Sequence, residues 1–258
     1  MLLVFVALIV EGQVPGTLKW SYSTSGEIYS SPSITADGVI FIGVNDNTDD
    51  EVNDNRVIAL NADGTLKWET EVGDWVDAVP AISKDGVLYV GCWDGYLYAM
   101  DCESGEILWR FETFGVIEGS AAIGDDGIVY FGNGENALYA VNPDGSAAWV
   151  TQNNGGEANP ILFDDWIDGS PTIDDAGNIW VGDLFGNIAQ VAPDRTELWV
   201  FDTGVGIPTS PAIGKDGTVY FGDEAGDVLA VTPGNSQPIW VFDSGLEDIE
   251  SSPVIGPD

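Results

Sequence analysis

Apolar positions along this chain come in short bursts, many alternating with polar residues, and the bursts are separated by Gly-, Pro- and Asp-containing turns. No stretch carries a sustained 3.6-residue apolar period, so the pattern predicts strands and no helix. Residues 210–243 give the clearest instance. Ser210-Pro211-Ala212-Ile213 reads as a short first strand, Lys215-Asp216-Gly217 as a turn, and Thr218-Val219-Tyr220-Phe221-Gly222 as a second strand rich in β-branched and aromatic residues. Glu224-Ala225-Gly226 then turns the chain into Asp227-Val228-Leu229-Ala230-Val231, and Ile239-Trp240-Val241-Phe242 follows as the fourth strand. The result is a four-stranded antiparallel unit joined by tight turns.

That unit repeats. Trp20, Trp68, Trp109, Trp149, Trp199 and Trp240 are separated by 48, 41, 40, 50 and 41 residues. Before each unit an Ile or Val stands four residues ahead of an opening position, at Pro32, Pro80, Ala121, Pro171, Pro211 and Pro253. Eleven residues after the first five openings comes a glycine: Gly43, Gly91, Gly132, Gly182 and Gly222. A period of about 40 to 50 residues built from short strands is the signature of a propeller blade. Each repeated Trp is therefore expected to dock one blade on the next, burying on the order of 200 Å² of indole.

Counting strands yields an all-β fold, a β-propeller of four-stranded antiparallel blades with five complete blades plus an incomplete or end-closed sixth. Residues 17–23 supply a fourth strand with no blade before it, and Ser252-Pro253-Val254-Ile255 begins a last blade. Residues 13–258 are the propeller, read as a fragment of a longer chain or an incompletely closed ring. Met1 to Val10 is an uncharged apolar run, too short to span a bilayer. Residues 1–12 read as the apolar core of a truncated secretory signal, with Leu8–Val10 as a closing strand the structural alternative.

Charge narrows the function. Forty-three acidic residues against seven basic ones leave a net charge of −36, and there is no histidine. Such a field repels phosphate backbones and anionic lipid surfaces, which argues against nucleic-acid and membrane-surface binding. The acidic residues are spread through all repeats, as on a protein suited to extracellular or salty surroundings, or to cationic partners. Cys92 and Cys102 flank the Asp94-Gly95 turn at unequal distances, so they do not face one another across the hairpin and no disulfide is expected. Two cysteines without histidine give no support to a zinc site or a Cys–His nucleophile.

Ser170-Pro171-Thr172-Ile173, Val129-Tyr130-Phe131-Gly132, Leu138-Tyr139-Ala140-Val141 and the closing Trp149 resemble the repeat of the PQQ-like (pyrrolo-quinoline quinone) β-propeller family, and the likeness covers nearly all of residues 17–258. The family's blade-docking motif, Ala-x-Asp-x-x-Thr-Gly-x-x-x-Trp, is met by Ala99, Asp101, Ser104, Gly105 and Trp109 with Ser for Thr. Ala59, Asn61, Gly64 and Trp68 meet it one residue shorter, and the fourth repeat departs from it with Ala192 and Arg195. The resemblance implies a propeller; enzymes, assembly factors and binding modules share it, so the fold does not choose among them. Quinoprotein dehydrogenases of the family use more blades, a calcium against the quinone, a catalytic Asp and often adjacent cysteines. Here the cysteines are ten residues apart and no cofactor cage is matched. The expectation is an exported, non-enzymatic propeller, extracellular, periplasmic or at the cell surface, that binds a protein, peptide or glycan. A quinoprotein oxidoreductase domain, or a structural subunit like outer-membrane assembly propellers, is the alternative.

Two insertions break the period, Val44–Arg56 in a second-to-third turn and Gln152–Asp168 in a fourth-to-first connection. Strand alternation puts both kinds of connection on one side of the disc, and insertions on a repeat scaffold usually mark its binding face. Asp46, Asp49, Asp50, Phe163, Asp164, Asp165 and Trp166 are therefore the candidate contacts. The apolar stretch Pro160 to Trp166 is expected to fold over the disc as a plug, with Phe163 and Trp166 gripping a peptide or glycan as the alternative. On the same side, three residues before each opening, stand Tyr29, Asp77, Glu118, Asp168, Pro208 and Glu250. The carboxylates Asp77, Glu118, Asp168 and Glu250 would crowd the channel mouth, staying hydrated or recruiting calcium or a cationic ligand. The acidic turn from Asn45 to Asp54 lacks the Gly and closing Glu of an EF-hand loop.

Overall fold

The computed structural model describes residues 16–46, 54–150, 158–245 and 247–256. Among these residues there is no helix, and the β-branched and aromatic bursts form five separate four-stranded antiparallel sheets. Blade one consists of β1 (Ser33–Ile34), β2 (Ile40–Val44), β3 (Arg56–Leu60) and β4 (Leu66–Glu71). Blade two holds β5 (Ala81–Ile82), β6 (Val87–Gly91), β7 (Tyr96–Asp101) and β8 (Ile107–Glu112). Blade three has β9 (Ala122–Ile123), β10 (Val129–Gly132), β11 (Ala137–Val141) and β12 (Ile161–Leu162). Blade four is β13 (Thr172–Ile173), β14 (Ile179–Gly182), β15 (Asn187–Val191) and β16 (Glu197–Asp202), and blade five β17 (Ala212–Ile213), β18 (Val219–Gly222), β19 (Asp227–Val231) and β20 (Trp240–Asp243).

The second and third strands of blades two, three and four are apolar on both faces because both faces are covered by neighbouring blades. Phe41, Val57 and Trp68 of blade one share a cluster with Leu88, Val90 and Tyr98 of blade two, whereas Ile40, Ile42 and Ile58 pack on the other side against Trp20 and Tyr22. Tyr89 and Leu97 meet Phe131 and Tyr139; Tyr130 and Leu138 meet Ile179 and Val181; Trp180 and Ile188 meet Phe221 and Leu229. Sheets therefore stack side by side, as expected for a propeller.

The repeated indoles supply the junctions. Trp20 Nε1 donates to Ala62 O at 3.1 Å, Trp68 to Cys102 O at 3.0 Å, Trp109 to Pro143 O and Trp149 to Pro193 O, both at 2.9 Å, always to the third-to-fourth turn of the following blade. Small residues oppose the Trp across the sheet at Ala59↔Trp68, Ala99↔Trp109 and Ala230↔Trp240, which accounts for the Ala of the docking motif. Trp68 also lies against Gly105, whose φ of 75° suits a residue without a Cβ. Arg195 adopts the same left-handed conformation at the departing position, with φ 75°. Trp199 stacks on Phe201 at 5.8 Å, and Trp240, with no blade beside it among the described residues, is 44% exposed.

Three expectations need correction. Residues 17–23 form no strand, although Trp20 docks on blade one. Ser252–Ile255 likewise forms no strand, so a sixth blade is not established among the described residues. The second insertion does not lengthen a fourth-to-first connection: it interrupts the fourth strand of blade three. Ala147 bridges to Val141, Val150 to Ala158, and Ile161 and Leu162 then pair with Leu138 and Ala137. The apolar Ile161-Leu162 satisfies the open edge of β11 as a strand and does not fold over the disc as a plug. Residues 1–12, with the signal or closing strand expected there, lie outside the described residues.

Candidate functional site

One side of the disc is assembled from the second-to-third turns and fourth-to-first connections, which bond to one another around the ring. Trp93 N donates to Trp75 O, Gly134 N to Val116 O, Leu184 N to Trp166 O and Glu224 N to Gly206 O, each at 2.9 Å. The recurrent Ile or Val before each opening plunges beneath this surface onto the glycine that ends the second strand. Val76 sits over Gly43, Ile117 over Gly91, Ile167 over Gly132, Ile207 over Gly182 and Ile249 over Gly222. Closer to the axis a chain of hydrogen bonds links successive blades: Val79 N to Ser120 Oγ, Ser120 N to Ser170 Oγ, Ser170 N to Ser210 Oγ and Ser210 N to Ser252 Oγ, at 2.7, 2.8, 2.8 and 3.0 Å. These serines were not singled out from the sequence; their place just before each opening Pro or Ala was the available signal.

The first insertion reaches this surface. Asn45 Nδ2 donates to Asp77 Oδ1 at 2.6 Å while its Oδ1 accepts from Val76 N at 2.7 Å, and Trp75 Nε1 donates to Asp46 O at 3.1 Å. Arg56 closes the base of the loop through Asp54 at 2.8 Å and Glu69 at 3.3 Å. Asp49 and Asp50 lie outside the described residues. Phe163 is partly buried against the cluster between blades three and four. Asp164 is exposed and accepts from Asn187 Nδ2 at 3.3 Å, Asp165 accepts from Trp166 N at 2.8 Å, and Trp166 is 45% exposed. Phe163 to Trp166 thus occupy the regular connection from blade three to blade four, away from Asp46 on blade one.

The four candidate metal carboxylates do not converge as a cage: among the described residues no three acidic, Cys or His side chains are grouped to hold a metal ion. Two of them pair instead. The Glu118 and Asp168 carboxyls share a hydrogen bond, and burial, then the Asp168 charge, pushes Glu118 up to about 7. Burial also raises Asp168. Asp77 is raised by burial, opposed by the hydrogen bond from Asn45. Two half-buried carboxyls sharing one proton resolve by protonation the repulsion that the sequence suggested a cation would relieve.

Of the seven Lys and Arg residues, only Arg56, paired with Asp54 and Glu69 at the base of the first insertion, lies within the segments that build this face. Aromatic side chains break its acidity. Tyr29 stacks on Trp75 with centroids 6.0 Å apart and planes at 14°, and Trp75 contacts Trp93 at 5.3 Å. Phe114 projects from the next connection, 92% exposed. Trp75, Trp93 and Trp166 fall outside the 40- to 50-residue Trp period, and that irregularity was the sequence signal for them.

Known proteins bear on this arrangement. A family model described as outer membrane protein assembly factor BamB matches residues 53–173 and 94–255. Among solved structures, BamB from Moraxella catarrhalis superposes with a TM-score of 0.70 at 21% identity, over 88% of this chain and 65% of that one. The computationally designed Ika8 protein gives 0.68 at 14%, over 86% and 64%, and quinohemoprotein alcohol dehydrogenase from Comamonas testosteroni 0.63 at 16%, over 84% and 43%. This chain spans less than two thirds of the length of each. Curated proteins yield no significant match. At these identities the superpositions carry the fold, and the two overlapping family matches cover most of the repeats. The chain belongs to the PQQ-like β-propeller family whose model is described as outer membrane protein assembly factor BamB.

Proposed function

We propose that this chain is an exported, non-enzymatic propeller that binds a protein partner on the face built by its second-to-third turns and fourth-to-first connections. The observation that carries the reading is the composition of that face. Exposed aromatic rings, Tyr29, Phe114 and Trp166, are set among Asp46, Asp74, Asp77, Asp164 and Asp165, and Arg56, the one basic residue in the segments concerned, is paired with Asp54 and Glu69 at the base of its loop. Aromatic residues are the side chains on which binding energy concentrates in protein interfaces, and a one-signed field steers association with a cationic partner. The family description, an outer membrane protein assembly factor, favours a protein over a small-molecule substrate and a place outside the cytoplasm. No helix among the described residues is long and apolar enough to cross a membrane.

The likeness to quinohemoprotein alcohol dehydrogenase keeps a quinone-dependent oxidoreductase as the second reading. The test is affinity capture from the source cell envelope with the parent chain and with a variant carrying Phe114→Ser, Asp164→Asn, Asp165→Asn and Trp166→Ser. Loss of a reproducible partner in the variant supports the face. Equal capture by both chains contradicts it, and dye reduction after reconstitution with the quinone and calcium favours the oxidoreductase.

A further inference from the structure

Tyr29, Trp75 and Trp93 stand together on this face. Each periodic Trp belongs to the blade-to-blade docking series, whereas Trp75 and Trp93 lie outside it and stand on the surface connections. Tyr29 is 62% exposed yet fixed in place, its hydroxyl donating to Glu27 Oε2 at 2.7 Å. Trp75 is held through Nε1 by Asp46 O and through its own carbonyl by Trp93 N. The Tyr29 and Trp75 rings are within 14° of parallel, so with Tyr29 exposed they form a flat, anchored aromatic step at the surface.

Carboxylates border that step. Glu27 accepts from Tyr29, and Asp77 lies close enough to Tyr29 for its charge to act on the phenol. Asp77 Oδ1 is taken by Asn45, and Oδ2 accepts no described hydrogen bond. Neither Glu27 nor Asp77 belongs to any of the four ion pairs formed among the described residues. A negative ring face beside uncompensated carboxylates complements a cation. A planar, weakly hydrated guanidinium matches a flat ring surface better than a compact, strongly hydrated ammonium does.

Resting on the face proposed above, we infer that Tyr29, Trp75 and Trp93, with Glu27 and Asp77, form a receptor for an arginine side chain of the partner protein. The guanidinium stacks on the Tyr29–Trp75 step and directs its N–H groups to the two carboxylates. The rings supply the selectivity, since carboxylates are present over the whole molecule but the aromatic step is local.

The experiment uses the full chain and a short Arg-Ala peptide, with the same peptide carrying citrulline, a neutral near-isostere of arginine, as its comparison. Binding is followed by tryptophan fluorescence and calorimetry at about 0.15 M salt, where long-range attraction is largely screened. The arginine peptide is expected to bind at least about tenfold more tightly than the citrulline peptide, and Tyr29→Ala to weaken it about fivefold, a loss in the range of one exposed cation–π contact. Tyr29→Phe should retain most of the affinity, and Asp77→Asn should weaken it more than Asp144→Asn, which removes the same charge from a third-to-fourth turn. Equal binding of both peptides, or an unchanged affinity in Tyr29→Ala, would overturn the receptor. So would quenching by a neutral oligosaccharide in place of the peptide. If envelope capture still depends on Phe114, Asp164, Asp165 and Trp166 while the arginine peptide fails, the receptor falls and the binding face stands.

Discussion

Ile117 covers Gly91 so closely that a Cβ built on the glycine would lie 2.5 Å from Ile117 Cγ2. The same approach recurs between Val76 and Gly43, Ile207 and Gly182, and Ile249 and Gly222, at 2.5, 2.7 and 2.5 Å. Two sequence regularities, the hydrophobic residue before each opening and the glycine eleven residues after it, are thus two sides of one contact. It pins each fourth-to-first connection to the strand beneath and fixes the height of the proposed binding face.

Gly91→Ala should therefore destabilise the fold by about 2 kcal/mol, as expected for overpacking a close-packed site. Gly256→Ala is the control, because nothing lies within 4 Å of the added methyl. Denaturant titration of both variants measures the difference.

Docking by the periodic Trp residues should depend on the blade that receives the indole. Trp68→Phe loses the bond to Cys102 O and should cost about 1 kcal/mol. Trp68→Ala removes a side chain only 8% exposed and should cost about 3 to 5 kcal/mol. Trp240→Phe, at a position 44% exposed, should change stability by less than about 0.5 kcal/mol. Melting temperatures of the three variants separate these cases.

The Glu118–Asp168 pair makes stability fall with rising pH. The unfolded glutamate loses its proton near its ordinary value, whereas the folded one keeps it to about 7. Between those values the unfolded state binds fewer protons, so the pair favours folding in acid and loses that contribution as pH rises through about 7. Glu118→Gln, whose amide can donate permanently to Asp168, should raise stability at pH near 8 by on the order of 1 kcal/mol after allowing for solvent screening, and change little near pH 4. A stability difference between parent and variant that did not shrink in acid would contradict the shared proton.

The thiols should be inert in the native state. Both cysteines are free; burial raises Cys92 far above the ordinary thiol range and pushes Cys102 up to about 11. The thiolate is the reactive form. A maleimide at neutral pH should label neither residue until denaturant is added, and mass spectrometry counts the adducts.

The architecture was legible because it is written in repeats: Trp68, Ala99 and Gly91 have the spacing they do since each serves a contact made once per blade. Repetition also misleads where a blade departs from it. The period places the fourth strand at Trp149 and leaves Ile161 and Leu162 to the surface, and only the pairing with Leu138 and Ala137 reveals that the strand resumes after an interruption. The crowding of Glu118 and Asp168 followed from their equivalent positions, but a shared proton depends on burial and separation, which spacing does not encode. Trp75, Trp93 and the serines from Ser120 to Ser252 were overlooked for opposite reasons: the indoles lie off the period, and the serines contribute only through backbone donors of the preceding blade.

The most direct test of the working face is photo-cross-linking in the source organism's envelope, with a benzophenone amino acid placed at Phe114, Trp166, Asp144 or Asp216. Phe114 and Trp166 stand on the proposed face, whereas Asp144 and Asp216 lie in turns of the opposite kind. Adducts to one partner protein from positions 114 and 166 alone are the predicted result; adducts from positions 144 and 216, with none from 114 and 166, would contradict it.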